Sequence, residues 1–358
     1  MAAREPVRFW ILATLMAAFC ALLPVPAWIL EHFYSRQFFP ALQGVVTAGS
    51  NAVPFAVLDA IIGLVVLLGL YRLLRLTFVA RERGLLAACS EAARRAVRLA
   101  AVLIALFFVL WGFNYRRMPL ETSIAGAGGE PPGVERLTVA FDDANALAGR
   151  LRRTVQAGAG LAFEDVSTSL GDPMAAALAQ LGRAPLRVPS RPKHSVFVQP
   201  FFARAGFDGM INPLALETIV HRDLLPFERP FVLAHEWAHL AGHADEAEAS
   251  AVGWLACMKG GPEFAYSASL YLIMQTQAMM PAGARQKALE RLHPGVREDL
   301  LAIATRLESG DPRVQEAAER VYHEYLRANR VADGTASYSR ALNLILSKAF
   351  HDALRAYR

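Results

Sequence analysis

At 358 residues the chain has room for a membrane module and one sizeable domain. It is 54% hydrophobic and 19% charged, with a mean hydropathy of +0.28, which is too apolar for an ordinary soluble protein. Its net charge of +5 comes with no aromatic-basic interleaving and no nucleic-acid motif, so nucleic acid is excluded as a partner.

The apolar excess lies at the front. Phe9 to Leu30 carries no charge and, at about 1.5 Å per residue, is long enough to cross a bilayer. Arg4 and Arg8 precede it in the manner of a signal peptide, but two further apolar runs favour a retained helix, kinked at Pro24 and Pro26. A second span is expected over roughly Val53 to Leu70. It contains Asp59, an acid expected near the interface or hydrogen-bonded to a neighbouring helix. The third runs from about Leu99 to Tyr115, with Trp111 and Tyr115 suited to an interfacial belt.

Between the second and third spans, Arg72, Arg75, Arg81, Arg83, Arg94, Arg95 and Arg98 face only Glu82 and Glu91, an excess equal to the whole formal charge. Such an excess marks the cytoplasmic side, and the two opposing charges Arg116 and Arg117 do not outweigh it. The basic balance therefore reads as topology and contact with anionic lipid. Residues 1–117 are expected to form a three-helix transmembrane anchor with a basic cytoplasmic loop, and residues 118–358 an extracytoplasmic domain. Cys20, Cys89 and Cys257 fall one to each compartment, so no intramolecular disulfide is expected.

Ala125 to Gly133 reads as a flexible linker or lid loop. Helical periodicity follows over Val134 to Gln156, and a short helix is expected from Asp172 to Leu181. His194 to Val198 alternates like a strand, the chain turns around Phe207 to Gly209, and Glu217 to His221 reads as a second extended piece. The segment around Ile219 is expected to line the cleft and pair with an extended substrate backbone. His194 and His221 read as satisfied structural histidines.

The chemistry concentrates in Phe231 to Ser250, where His235-Glu236-Trp237-Ala238-His239 matches the H-E-x-x-H pattern. Four residues apart on a helix, His235 and His239 aim two imidazoles at one point, and Glu236 lies one step around. Zinc suits this donor set, and Glu236 reads as the catalytic base that deprotonates the attacking water. Pro230 suits a first helical position, and Gly242 falls where a glycine stop belongs. His243 keeps the four-residue spacing but follows that stop. Three acids remain as third ligand. Asp245 reads as the N-cap of the next helix, Glu246 to Met258, and Glu248 as its capping-box partner. Glu246 is then free to face the metal and is the expected ligand, with Asp245 and Glu248 as alternatives. Small residues at Ala249 and Ser250 would let the second helix approach the first. Beyond Met258 the chain reads as mostly helical, and the apolar run Phe264 to Met280 is expected to pack inside the domain, given Gln275, Gln277 and its modest length.

Glu246-x-x-Ala249-Ser250 resembles the E-x-x-A-[D/N] signature of gluzincin-type metallopeptidases, in which the Glu is the third zinc ligand; Ser250 departs from the usual Asn or Asp. More closely, HEWAHLAGHADEAEAS is similar to a bacterial family of membrane proteins, known only as a domain of unknown function, with three N-terminal membrane helices before an H-E-x-x-H domain. Trp111 to Arg116, Asp333-Gly334 and Ser337-Tyr338 share in the resemblance, which spans nearly the whole chain, the zinc motif being its specific part. It implies a zinc-dependent peptidase. Tyr322, Tyr325 and Tyr338 lie in the C-terminal part, from which a Tyr or His could supply an oxyanion donor; Tyr338 is the candidate on the family-like Ser-Tyr pair alone, and reads first as a core tyrosine.

The expected fold is thus a membrane anchor of three transmembrane helices plus a mainly helical α+β, zincin-like metallopeptidase domain. His235, His239 and Glu246 would hold Zn2+ and Glu236 would serve hydrolysis of peptide bonds in a peptide or protein substrate. The expected location is the bacterial inner membrane, multi-pass, with the lipid bilayer as a partner. The alternative is a membrane regulatory or sensor protein that keeps the metal site for limited or self-directed proteolysis.

Overall fold

Helices account for most of the chain. The computed structural model describes residues 10, 14–16, 19–20, 22, 24–124, 130–157, 161–329, 337–347 and 350. Residues 9, 11–13, 17–18, 21 and 23 of the first expected span and residues 125–129 of the glycine-rich stretch fall outside them. A π-helical stretch, Leu30–Phe38, runs directly into helix α1 (Phe39–Asn51).

Two long helices follow, α2 (Val57–Arg83) and α3 (Leu85–Leu110), forming a hairpin that turns at Gly84 with φ of +84°. No residue of α2 is buried, and its surface displays Leu64, Val65, Val66, Leu67 and Leu70. Among the described residues α2 is the one helix long and apolar enough to cross a membrane. In α3 the arginines Arg94, Arg95 and Arg98 precede the apolar part, and the helix ends at Leu110; the expected third span continues to Tyr115 as a 3-10 turn, Gly112–Arg116. The arginine-rich connection is not a loop. It is helical on both sides of Gly84, because Leu, Arg, Ala and Glu dominate it, proline is absent, and Glu91 pairs with Arg95 one turn on.

Two acids fasten the hairpin to the domain. Fully buried Glu217 accepts hydrogen bonds from the backbone N–H groups of Val57 (2.9 Å) and Leu58 (2.8 Å) and from Lys193 Nζ (3.0 Å). It thereby satisfies donors that a helix N-terminus leaves open and complements its positive end. Asp59, in the first turn of α2, accepts from Ser195 Oγ and from the Val196 N–H (2.8 Å).

The domain begins with α4 (Val134–Ala157) and α5 (Phe163–Gln180), the latter longer than expected because Asp165 accepts from the Ala162 N–H and sets an earlier start. A small sheet follows, made of β1 (Pro192–Lys193), β2 (Gly209–Asn212) and β3 (Glu217–Val220) in the order β1-β3-β2, with β1 parallel and β2 antiparallel to β3. Helix α6 (Gln199–Ala205) lies between the first two strands. The strand expected at His194 to Val198 is not formed, because the Val196 N–H is taken by Asp59. Ile219 pairs with Lys193 on one side and Met210 on the other, so its backbone is occupied; the outer strands of the sheet among the described residues are β1 and β2.

Helices α7 (Arg229–Leu240) and α8 (Glu246–Met258) form the centre of the core, with Trp237 and Trp254 fully buried. Around them pack α5, α9 (Pro262–Met279) and α13 (Ser337–Ile345). The apolar run at Phe264 is α9, a buried core helix lying along α4. Helices α10 (Ala282–Glu290) and α11 (Pro294–Glu308) close that side, and α12 (Pro312–Ala328) lies against α6.

Candidate metal centre

Helix α7 starts with Pro230 in its first turn and ends at Gly242, whose φ of +90° lets the chain reverse. The Gly242 N–H bonds to the His239 carbonyl (2.7 Å) and the His243 N–H to the Ala238 carbonyl (3.1 Å), which satisfies carbonyls that the helix end leaves open. After two residues Asp245 caps α8, its Oδ1 accepting from the N–H groups of Ala247 (3.0 Å) and Glu248 (3.2 Å). Helix α8 then crosses α7 at close range. A Cβ at Gly253 would lie 2.8 Å from the backbone nitrogen of His235, so only glycine fits this crossing. Ala249 and Ser250 extend the same run of small residues.

This crossing brings three donors together. His235 Nε2 and His239 Nε2 are 3.1 Å apart, and Glu246 Oε2 lies 3.3 Å from the first and 3.5 Å from the second. Two imidazole nitrogens and a carboxylate oxygen within 4.8 Å of one another could hold a metal ion. The outer nitrogens are engaged as such a site requires. His239 Nδ1 donates to the His243 carbonyl (2.7 Å) and His235 Nδ1 lies 3.3 Å from Ser250 Oγ, which holds both rings with Nε2 toward the centre. On the far side of the carboxylate, the Tyr322 hydroxyl donates to Glu246 Oε1. Burial works against charge on Glu246, yet His239 and His235 hold its carboxyl well below the usual range; His239 in turn is pushed up to about 9 by Glu246 against the opposing effect of burial. The donor set thus attracts positive charge, which is the electrostatic condition for a cation to fit.

Glu236 is 4% exposed and packs against β2, where a Cβ at Gly209 would come within 2.7 Å of its Oε1. Its Oε2 has no hydrogen-bond partner among the described residues. Burial raises this carboxyl to about 7, partly opposed by His235 and His239. A buried carboxylate with one oxygen open beside three metal-type donors is equipped to take up and release a proton.

The neighbouring acids have other work. Asp245 holds its cap and an ion pair with Arg340 (3.0 Å). Glu248 does not close the expected capping box. Its Oε2 pairs with buried His243 (2.9 Å) and its Oε1 accepts the Leu120 N–H (2.6 Å), partners too deeply buried to be left unsatisfied. His194 Nδ1 lies 3.1 Å from the Val220 carbonyl and His221 Nδ1 accepts the Asp223 N–H, away from the centre. The side chain of Tyr338 lies outside the described residues.

Contacts from distant segments complete the site. The Trp111 ring meets His239 at 6.4 Å between centroids. Tyr322 stacks on Tyr325, whose hydroxyl accepts that of Tyr115 (3.2 Å) and whose ring lies 6.3 Å from Phe107 of α3. Arg117 donates to the Gly242 carbonyl (3.0 Å) and, with Arg183, holds the buried Glu31 carboxylate (3.0 and 2.7 Å). Sequence reading missed Tyr322's contact with Glu246 and placed Trp111 only in a lipid belt; neither position carries a local signal of its contact.

In comparison with known proteins, residues 34–346 match the family model described as "Protein of unknown function (DUF3810)". No curated protein and no solved structure matches.

Proposed function

This chain belongs to the family described as "Protein of unknown function (DUF3810)", and we propose that it is a membrane-anchored, zinc-dependent metallopeptidase of gluzincin type. The anchor would be three transmembrane helices (the segment Phe9 to Leu30, α2 and the apolar part of α3) and the domain after them an extracytoplasmic, zincin-like α+β unit. The observation that carries the reading is the convergence of His235 Nε2, His239 Nε2 and Glu246 Oε2 next to the open oxygen of buried Glu236.

His235, His239 and Glu246 would hold the metal. Zinc bound there would supply Lewis acidity toward a substrate carbonyl and bring the pKa of a water to roughly 7. Glu236 takes the proton of the attacking water and returns it to the leaving nitrogen, so that the C–N bond breaks as the carbonyl carbon gains oxygen. His243 and Ser250 keep the imidazoles turned inward, and Tyr322 keeps Glu246 turned toward them. The free edge of β2, beside Glu236, supports extended binding of the substrate backbone.

The test is Glu236→Gln. The variant should keep one zinc per chain by elemental analysis and lose peptide hydrolysis by about 10²–10⁴-fold, the usual loss when a general base is removed. Hydrolysis that survives the change, or protein that binds no zinc in either form, would defeat the reading.

A further inference from the structure

We infer that the centre acts on peptide bonds at the surface of the bilayer, so that its substrates are membrane-anchored chains cut within a few residues of their own anchor. This inference rests on the membrane and metallopeptidase readings above.

The first support is contact. His239 touches Trp111, the residue that follows the last turn of α3, and Glu246 connects through Tyr322 and Tyr325 to Phe107 inside that helix. The ligand set therefore sits against the domain end of the hairpin, not at the far side of the domain.

Length supplies the second. From Val57 to Leu74, the apolar window of α2 is about 27 Å long, and from Leu99 to Leu110 the apolar part of α3 is about 18 Å, at 1.5 Å per residue. A hydrocarbon layer is about 30 Å thick. Arg72 and Arg98 can recover a few ångström by snorkelling. Glu217 and Asp59 bind the first turn of α2 directly, so no stalk separates the base of the domain from the point where α2 enters the layer.

The base is built for that position. Asp59 holds the turn after Ser195 against the first turn of α2, and this turn exposes Val196 (70%) and Phe197 (57%). Trp28 and Phe33, on either side of buried Glu31, are also exposed, as is Phe55 just before α2. Exposed apolar and aromatic side chains next to the domain end of the hairpin are what an interfacial belt requires. Glu217 ties the first turn of α2 to the domain, and Glu31 pairs with Arg117 and Arg183 beside Trp28 and Phe33.

The test uses the full chain, loaded with zinc, in phospholipid vesicles. Two peptides share one transmembrane anchor and one randomised cleavable segment, placed directly at the anchor or beyond a stiff proline-rich spacer of about 12 residues, roughly 37 Å. Both are confined to the membrane, so effective concentration is matched and height alone differs. In parallel, a fluorophore on Met118→Cys, an exposed position lining the same surface cavity as Trp28 and Phe33, in a Cys89→Ser background reports depth. Expected are cleavage at least about tenfold faster without the spacer, and quenching of at least about twofold by lipids brominated near the glycerol end of their chains. Equal cleavage of the two peptides overturns the inference, as does a label quenched only from water. If neither peptide is cut while the label lies at the interface, the inference is overturned along with the peptidase reading, and the depth result shows that the chemistry failed, not the placement.

Discussion

The ring of Trp111 meets the imidazole of His239 edge to face, 6.4 Å between centroids and 66° apart. One residue follows the last turn of α3 and the other belongs to the donor set, so the hairpin and the domain share one packed surface. Trp111 is 5% exposed and packs with Phe39 and Leu240. Replacing it by alanine should cost about 3–5 kcal/mol, as for other buried tryptophans. Denaturant unfolding in detergent would measure this, and zinc retention should fall with stability because His239 loses its wall.

Only one of the three acids around Asp245 faces the histidines. Glu246→Ala should therefore abolish zinc binding. Asp245→Ala should keep the metal and lose about 1 kcal/mol, the usual worth of an N-cap. Glu248→Ala should also keep the metal but cost about 1–3 kcal/mol, since the Leu120 N–H and His243 lose their buried partner. Elemental analysis beside thermal unfolding separates the three; zinc lost from the Asp245 variant alone would contradict the assignment.

Tyr322 donates to Oε1 of Glu246, the oxygen opposite the one nearest the histidines. Tyr322→Phe removes that hydrogen bond and little volume. Loss of an outer-shell partner of this kind costs about 10–100-fold in metal affinity. Competition with a chelator should show a drop of that order, with the fold unchanged by circular dichroism.

Glu31 gives a pH dependence whose sign is fixed by its surroundings. Burial opposes its charge, but Arg117, Arg183 and Arg36 hold its carboxyl at about 2, below the ordinary 4.5. A folded-state value below the unfolded one contributes stability that is complete above the ordinary pKa and is lost as pH falls from about 4.5 toward 2. Glu31→Gln should remove this part of the acid sensitivity. It should also destabilise the protein at neutral pH by about 3–5 kcal/mol, because two buried guanidinium groups lose their counter-charge. Unfolding curves from pH 7 to pH 3 for both proteins would show whether their stabilities converge.

The sequence by itself determined what depends on neighbours along one helix. The four-residue step of His235 and His239, the cap at Asp245, the stop at Gly242 and the resulting freedom of Glu246 are all local, because helix geometry and the unsatisfied groups at its ends dictate them within a few residues. The burial of α9 was legible too, since its glutamines mark a helix that packs against protein. Tertiary structure decided the rest. Glu248 turns from its own cap to Leu120, 128 positions away, and Tyr322 reaches Glu246 across 76. Ile219 proved to lie on the paired central strand of a sheet whose edges are β1 and β2. Such partners are set by how apolar faces pack and by which buried polar groups then need satisfying, and no spacing along the chain encodes that choice.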